Sequence, residues 1–219
     1  MRYGRFTMSP DKSSRRARPA DRKRQLVEQA AVLFADRGYT QVSLADIARA
    51  AGVGIGTLYR RFADREALVE ALFDAHVDGV VALAERVLAE DRHGRCVERF
   101  VTAVAERQAA ELGLSQVLRT GPHGTALAVR ARERIGPLAE RLLERDRADG
   151  SVAPGIGAGD LVLIEIMIGA VQRAGGPQDD TTWRRALSLV LGGLRTGVDG
   201  SGAAPDDEAI DRLQGSEGR

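Results

Sequence analysis

The chain has 219 residues, of which 43% are hydrophobic and 29% are charged, a composition typical of a globular protein. Its single cysteine, Cys96, excludes an internal disulfide framework and a Cys-based zinc cluster. The longest apolar run, Leu161 to Ile168, is too short to cross a bilayer, and the first residues lead into a charged stretch rather than into the apolar segment of a signal peptide. We therefore expect a soluble, cytoplasmic protein with no membrane partner.

The net charge of +1 conceals an uneven distribution of charged residues. Residues 1–24 contain nine basic and two acidic side chains, whereas residues 199–219 contain six acidic and two basic ones. We expect residues 1–20 to form a disordered basic arm and residues 199–219 a disordered acidic tail. A basic arm on an otherwise mildly acidic chain indicates an anionic partner near that end, although a solvated tail that binds nothing is the alternative.

Three helices are predicted in succession after the basic arm. The first begins at Asp21 and ends at Gly38. Its apolar stripe at helical spacing consists of Leu26, Ala30, Leu33 and Phe34. Ser43 is expected to cap a second, short helix, and a third runs from about Ile55 to Phe62. Two short helices separated by a glycine-containing turn are typical of a helix-turn-helix.

The third helix has two chemically different faces. Leu58 and Phe62 form the face that fastens it to the other two helices. The opposite face carries Gly56, Thr57, Tyr59, Arg60 and Arg61. A bundle this small cannot use so many arginine, tyrosine and glycine residues in its core, so this face is predicted to meet an external partner.

The stretch from Leu33 to Leu72 resembles the DNA-binding domain of the TetR family of transcriptional regulators. The most specific pieces are the AGV turn at 51–53, the GTLYRRF segment at 56–62 and the DREAL segment at 64–68. The resemblance implies an all-α fold with an N-terminal helix-turn-helix DNA-binding domain, which we place at residues 21–66. It also implies a larger helical effector-binding and dimerisation domain, placed at residues 67–198.

Physical reasoning about a helix-turn-helix suggests which residues contact DNA. The N-terminal end of its second helix faces base edges in the major groove, and here it consists of Gly54, Ile55, Gly56 and Thr57. We expect Ile55 to contact a thymine methyl and Gly56 to permit a close approach, whereas Gly54 could equally be a helix cap. Hydroxyl or guanidinium groups suited to phosphates or guanine belong to Thr57, Tyr59, Arg60 and Arg61. Arg22 and Arg24 could reach the minor groove or the DNA backbone.

The resemblance implies contact roles for the positions that match the family pattern. These positions are Ser43, Ala45, Gly56, Thr57, Tyr59, Arg61 and Arg65. Ala45 has no hydrogen-bonding group, so only close packing is expected of it. Tyr59 could instead pack against its own bundle, and Arg65 could pair with Asp64 or Glu66.

The later helices are predicted to surround a small-molecule effector, as the resemblance implies. One of them is expected to run from Leu127 to Leu143 with an interruption at Gly136-Pro137. His76 lies on an apolar stripe, where a hydrogen-bonded core histidine is favoured over a pH or ligand sensor. Candidate effector contacts are Phe100, Val104, Leu118, Arg119, His123, Leu127, Glu165 and Met167, for each of which ordinary core or surface is the alternative.

Two strongly apolar helices near the C-terminus predict a homodimer. Asp160 is expected to cap the first, and Thr181 or Thr182 to begin the second. A helix that is apolar on nearly every side must be buried on every side, which in a domain this size requires a partner chain. The resemblance also implies a dimer joined by these helices as a four-helix bundle, with a purely intramolecular core as the alternative. Candidate interface residues are Leu163, Met167, Trp183, Leu187, Val190, Leu191 and Leu194.

No catalytic constellation and no cofactor motif is recognised. His93 and Cys96 are three residues apart but lack the further ligands that zinc needs, so no metal is expected. The sequence therefore predicts a dimeric transcriptional regulator of double-stranded DNA, most simply a repressor that an effector releases from a pseudo-palindromic operator. The alternatives are an architectural DNA-binding dimer without an effector and an enzyme that carries a helix-turn-helix.

Overall fold

The computed structural model describes residues 19–90, 94–111, 124–176, 179–196 and 202–216. Within those ranges the chain forms α-helices, one short 3₁₀ turn at Tyr39–Gln41, and no strand, which confirms the all-α prediction. The helices are α1 Pro19–Arg37, α2 Leu44–Ala50, α3 Ile55–Tyr59, α4 Arg65–Ala89, α5 Cys96–Ala110, α6 Gly124–Ala148, α7 Ala158–Gly175, α8 Thr182–Thr196 and α9 Asp207–Ser216. None of these helices has the length and apolarity needed to span a membrane.

The first three helices and the beginning of α4 share one hydrophobic core, the N-terminal core. Ser43 Oγ accepts a hydrogen bond from the Asp46 N–H, and Asp46 accepts one from the Ser43 N–H, so the predicted cap of α2 is confirmed. Gly52 takes a φ of +64°, a conformation that glycine adopts without strain, and so ends α2. Fully buried members of this core include Leu26, Phe34, Ile47, Leu58 and Leu72.

The division between the N-terminal core and a second, C-terminal core falls inside α4. Phe73 and Val77 pack into the N-terminal core, whereas Val80 and Ala84 pack with α5 to α8. The core of the helix-turn-helix unit therefore extends beyond the boundary predicted at residue 66. As a result, α4 is a structural member of both parts of the chain.

Helix α6 is continuous through Pro137, so the predicted interruption is wrong. A proline inside a helix removes one backbone hydrogen bond and usually bends or breaks it. Here Pro137 is exposed, whereas Ala139 and Leu142 on the same helix are buried in the C-terminal core. Packing of the flanking turns holds the helix together across the proline.

The C-terminal end of α6 fastens two neighbouring helices. Arg145 donates hydrogen bonds of 3.0 and 2.9 Å to the carbonyls of Leu88 and Glu90, where α4 ends. Asp146 is fully buried, and its carboxylate accepts hydrogen bonds from the N–H groups of Cys96 (2.9 Å) and Val97 (2.7 Å). It thereby caps α5, whose own N-cap residue supplies no side-chain bond.

The predicted disordered acidic tail, residues 199–219, is wrong for its central part, which forms α9. Ile210 is 1% exposed and packs between other helices. Arg132 of α6 forms ion pairs with Asp207 and Asp211. The acidic side chains suggested a solvated tail, but two of them pair with Arg132 on α6, and Ile210 is buried.

The segment before α9 is seated against the start of α7 by two glycines. A Cβ atom at Gly159 would lie 1.9 Å from the carbonyl oxygen of Pro205, and one at Gly157 would lie 2.8 Å from the Ala204 side chain. Larger residues would push the segment away. Asp160 does not itself begin α7 as predicted; instead it accepts a hydrogen bond from the N–H of Gly157, the N-cap residue.

Candidate DNA-binding surface and effector cavity

The outward face of α3 lies open to solvent. Ile55 is 42% exposed and Tyr59 54% exposed, whereas Leu58 between them is fully buried. The alternative in which Tyr59 packs against its own bundle is therefore wrong. Gly54 is the N-cap residue of α3. A Cβ atom added at Gly54 would meet nothing within 4 Å, and one added at Gly56 would meet only the Arg60 side chain, at 3.8 Å. Their missing side chains leave the start of α3 unusually accessible.

Polar and charged groups flank Ile55 and Tyr59 on this surface. Arg60 donates a 2.9 Å hydrogen bond to Thr57 Oγ1, and both belong to the exposed turn of α3. Arg61 and Ala45 are also exposed. Ser43 lies at the start of α2, where its hydroxyl accepts a hydrogen bond from the Asp46 N–H and donates one to the Asp46 carboxylate. This hydrogen bond lowers the pKa of Asp46, so its carboxylate stays ionised well below neutral pH.

Arg65 is the first residue of α4, and its partners are backbone carbonyls rather than the neighbouring acidic side chains. Its guanidinium donates to the backbone carbonyls of Val42 (2.6 Å) and Tyr39, and it stacks 4.0 Å from the Tyr39 ring centroid and 5.3 Å from that of Phe34. The Arg65 guanidinium is thus bonded to backbone carbonyls rather than to Asp64. Arg65 therefore fixes the turn between α1 and α2, and the DNA-contact role that the resemblance implies for it stays a prediction.

The two arginines predicted at the edge of the basic arm lie on α1. Arg24 is largely exposed and lies 3.6 Å from Glu28 one turn later, and Arg22 is half-buried. The helix begins at Pro19, slightly before the predicted start, and residues 1–18 lie outside the described chain. Both arginines thus belong to the first helix, as its predicted start at Asp21 implied, and their DNA contacts stay a prediction.

A cavity of about 510 Å³ lies among α4, α5, α6, α7 and α9. Its walls are mainly apolar. Four predicted effector contacts line it, namely Phe100, Val104, Leu127 and Glu165. Met167 does not, because it is 39% exposed on the outer side of α7. The other three predicted contacts, Leu118, Arg119 and His123, fall outside the described residues.

A chain of polar contacts crosses one wall of the cavity. His76 Nδ1 lies 3.0 Å from Glu111 Oε2, and Arg107 Nη2 lies 3.1 Å from Glu111 Oε1. Burial alone would raise the pKa of Glu111, but the hydrogen bond with His76 and the charge of Arg107 together lower it. The prediction of a hydrogen-bonded histidine is confirmed, although His76 is half-buried on the cavity wall rather than enclosed in the core.

Two residues that line this wall each have a buried polar atom without a hydrogen-bond partner. These atoms are Gln108 Oε1 and Arg107 Nε. Gln108 is 6% exposed, and it was not predicted as an effector contact. The signal was present, since Gln108 continues the apolar stripe of α5 at a position where a core residue is expected.

Three side chains belong to the N-terminal core and to the cavity wall at the same time: Phe73, Val77 and Leu127. In addition, Arg130 and Arg134 of α6 pair with Asp74 (3.0 Å) and Asp78 (2.5 Å) of α4. The cavity wall and the N-terminal core therefore share side chains, and ion pairs join α6 to α4.

The predicted dimer residues separate into two groups. Trp183, Leu187 and Leu194 are 2–5% exposed within the C-terminal core and are not available to a partner chain. The remaining four, Leu163, Met167, Val190 and Leu191, are half-buried or exposed on the outer side of α7 and α8. Leu189, which was not predicted, is the most exposed large apolar side chain in the described chain, at 63%. The set chosen from periodicity thus mixes three inward residues with four on the outer side.

Neither metal nor nucleophile chemistry is organised in the described ranges. No group of three or more His, Cys, Asp or Glu side chains there could hold a metal ion. Cys96 is fully buried, and burial together with the nearby Asp146 raises the pKa of its thiol, which keeps it protonated and unreactive.

Within the described ranges, helices alone and an exposed helix-turn-helix give the architecture of a DNA-binding protein. Residues 26–72 match the family model described as bacterial regulatory proteins, tetR family, and residues 93–196 match that of the SbtR-like transcriptional regulator C-terminal domain. Together the two models span most of the chain, which belongs to the TetR family. Members of this family are transcriptional regulators and not enzymes, as the sequence predicted.

Individual relatives agree with this assignment. The HTH-type transcriptional repressor KstR2 of Mycolicibacterium smegmatis is 36% identical over 81 residues, which are 37% of this chain and 38% of the repressor. The chain thus matches well under half the length of that relative. A TetR transcription regulatory protein from Mycobacterium vanbaalenii has 27% identity and a TM-score of 0.61 over 82% of this chain and 98% of its own. A TetR transcriptional regulator from Streptomyces coelicolor has 29% identity and a TM-score of 0.59, covering 79% and 98%.

Proposed function

We propose that this protein is a sequence-specific transcriptional repressor that binds a pseudo-palindromic DNA operator as a homodimer and is released by a small-molecule effector. The observation that carries the proposal is the outward face of α3, where Ile55, Tyr59, Arg60 and Arg61 are exposed while Leu58 anchors the helix. Apolar, hydroxyl and guanidinium groups at the start of such a helix suit thymine methyls, phosphates and guanine. The name of the KstR2 relative supports repression rather than activation.

The dimer is proposed to use the outer sides of α7 and α8. Met167 and Leu189 are exposed there, with Leu163, Val190 and Leu191 half-buried nearby. An exposed apolar surface of this kind is unfavourable in water and is typical of an interface. A two-fold dimer would present two copies of α3 to successive major grooves, about 34–36 Å apart.

The effector is proposed to act through the shared wall of the cavity. Phe73, Val77 and Leu127 contact it from the N-terminal core, so a bound molecule that fits one position of α4 better than another changes the spacing of the two α3 helices. It can do so only through its different affinity for the two conformations. An architectural DNA-binding protein has no need for such a cavity, which counts against that alternative.

Selection of bound duplexes from a random DNA pool, at near-physiological salt, tests the proposal. We expect a two-fold symmetric site. Tyr59→Ala and Arg61→Ala should each weaken binding to the selected site about tenfold or more, because each removes an exposed group and leaves the core intact. Arg141→Ala, at an exposed arginine of α6, is the matched control and should bind like the parent. Failure to enrich any sequence with the folded, effector-free protein would contradict the proposal.

A further inference from the structure

The carboxamide of Gln108 is the most completely enclosed polar group on the cavity wall. It is 6% exposed, and its Oε1 is buried without a hydrogen-bond partner. A buried acceptor without a donor costs free energy, so such atoms are usually satisfied by water or by a ligand. Because Gln108 lines the cavity, a rotation of its side-chain amide would turn this acceptor toward a hydrogen-bond donor inside the cavity.

Gly169 of α7 gives Gln108 the room to lie where it does. A Cβ atom at Gly169 would be 2.7 Å from Gln108 Nε2, which is too close for the present side-chain position. Both residues are buried. The glutamine amide is thus held against the backbone of α7, at a fixed place on the wall.

The rest of the wall favours an apolar molecule. Aliphatic and aromatic side chains from five helices surround the space, among them Val80, Phe100, Val104, Leu161 and Ile164. These groups offer no hydrogen bonds. A ligand that fills this cavity needs an apolar body with few polar atoms.

The charged groups around the cavity disfavour an anionic ligand. Arg107 is paired with Glu111, and Arg132 is paired with Asp207 and Asp211. Glu133 and Glu165 also line the space, so carboxylates outnumber guanidinium groups. Of the nitrogen atoms of these two arginines, Arg107 Nε is buried and has no hydrogen-bond partner. The wall therefore offers one unpaired acceptor and one unpaired donor.

We propose, resting on the proposed effector-binding function of this cavity, that its ligand is an uncharged, largely apolar alcohol whose hydroxyl donates a hydrogen bond to Gln108 Oε1. A hydroxyl both donates and accepts, which suits a wall carrying unpaired groups of both kinds. A carboxylate only accepts, and it would place its charge beside the Gln108 oxygen.

Three probes built on a twelve-carbon chain separate the possibilities. We would titrate the full-length protein with 1-dodecanol, with methyl dodecyl ether, which accepts but cannot donate, and with dodecanoate. The alcohol should bind about tenfold more tightly than either of the others, since only it satisfies the buried acceptor. Equal affinities for alcohol and ether, tightest binding of dodecanoate, or no binding of any probe would each overturn the assignment.

Two glutamines provide a variant and its matched control. Gln108→Leu removes the acceptor and should abolish the preference for the alcohol over the ether. Gln172→Leu should retain the preference, because Gln172 is also buried with an unpaired Oε1 but faces a separate recess beside Trp183. A preference that survives in the Gln108 variant would refute the role of this residue. Should that variant not fold, Gln108→Glu, which keeps acceptor oxygens and adds charge repelling dodecanoate, must preserve the alcohol preference.

The outcome is independent of the DNA-binding test. Selection of an operator and its loss in Tyr59→Ala require no ligand. Failure of the three probes with an intact operator complex would remove the alcohol assignment alone, whereas failure to select any DNA would remove the proposed regulator.

Discussion

In the helix-turn-helix unit the proposed functional side chains face outward, whereas in the C-terminal helices they face inward onto the cavity. Tyr59 and Ile55 stand on a surface whose underlying core, around Leu58, is complete without them. Gln108 and Phe100, by contrast, are buried members of the wall they form. Function and stability can therefore be separated by substitution in the first region but are joined in the second.

The largest effect is expected at the proposed dimer interface. There, residues of the C-terminal region face outward, as those of α3 do. The double variant Met167→Glu and Leu189→Glu should stay folded but dissociate, with a dissociation constant at least about a hundredfold higher, because it buries unpaired carboxylates at the interface. Leu187→Glu, on the inward side of α8, should instead fail to fold. Sedimentation velocity and circular dichroism distinguish the two results. An intact dimer in the double variant would move the interface elsewhere.

Substitution of Asp146 tests how much the cap at the start of α5 contributes to the stability of the C-terminal region. Asp146→Ala leaves the N–H groups of Cys96 and Val97 buried without acceptors, and should lower the free energy of unfolding by about 2–4 kcal/mol. Glu144→Ala, at an exposed position of the same helix, should have little effect. Urea titration measures both changes, and a loss under about 0.5 kcal/mol in the Asp146 variant would show that another group replaces the cap.

Arg65 sharpens the comparison because it belongs to the helix-turn-helix unit but faces inward. Arg65→Ala should lower the free energy of unfolding by about 1–3 kcal/mol, since it removes hydrogen bonds to the Val42 and Tyr39 carbonyls. Where the variant remains folded, the dependence of operator affinity on salt should be unchanged, because no phosphate contact is lost. A slope reduced by about one unit would restore Arg65 as a phosphate ligand.

The smallest expected effect is a contribution to acid sensitivity from the cavity wall. The pKa of Glu111 is lower in the folded protein than its ordinary value of 4.5. A lowered carboxyl pKa contributes stability above the unfolded value, and that stability is lost as the pH falls through the folded value. Glu111→Gln should therefore flatten the decline of stability below pH 4.5. Melting temperatures between neutral and acidic pH measure the difference, and identical profiles would show that Glu111 contributes nothing.

The helix-turn-helix unit could be predicted from the sequence because its signals are local. Ser43 caps α2 through a residue three positions away, a glycine ends that helix, and the inward and outward faces of α3 follow from helical spacing. The same reasoning could not indicate the intramolecular acceptors of Arg65, since they lie more than twenty residues away in the chain. No local pattern indicates which carbonyl a guanidinium will reach.

The C-terminal region was predicted only in outline. Periodicity located α7 and α8 but could not tell which apolar stripe faces the chain's own core, so Trp183, Leu187 and Leu194 were assigned to a partner. The acidic composition of the tail did not indicate α9, because the stability of this helix depends on Arg132 and on the small residues at the start of α7.

The sequence by itself determined the all-α class, the helix-turn-helix and the side chains that α3 turns outward, because these depend on contacts within a few residues. Only the tertiary structure decided that the two cores meet within α4, that α9 closes one side of the cavity, and that Gln108 carries an unpaired acceptor on its wall. Each of these depends on which helices come together, and that is set by packing between segments far apart in the chain.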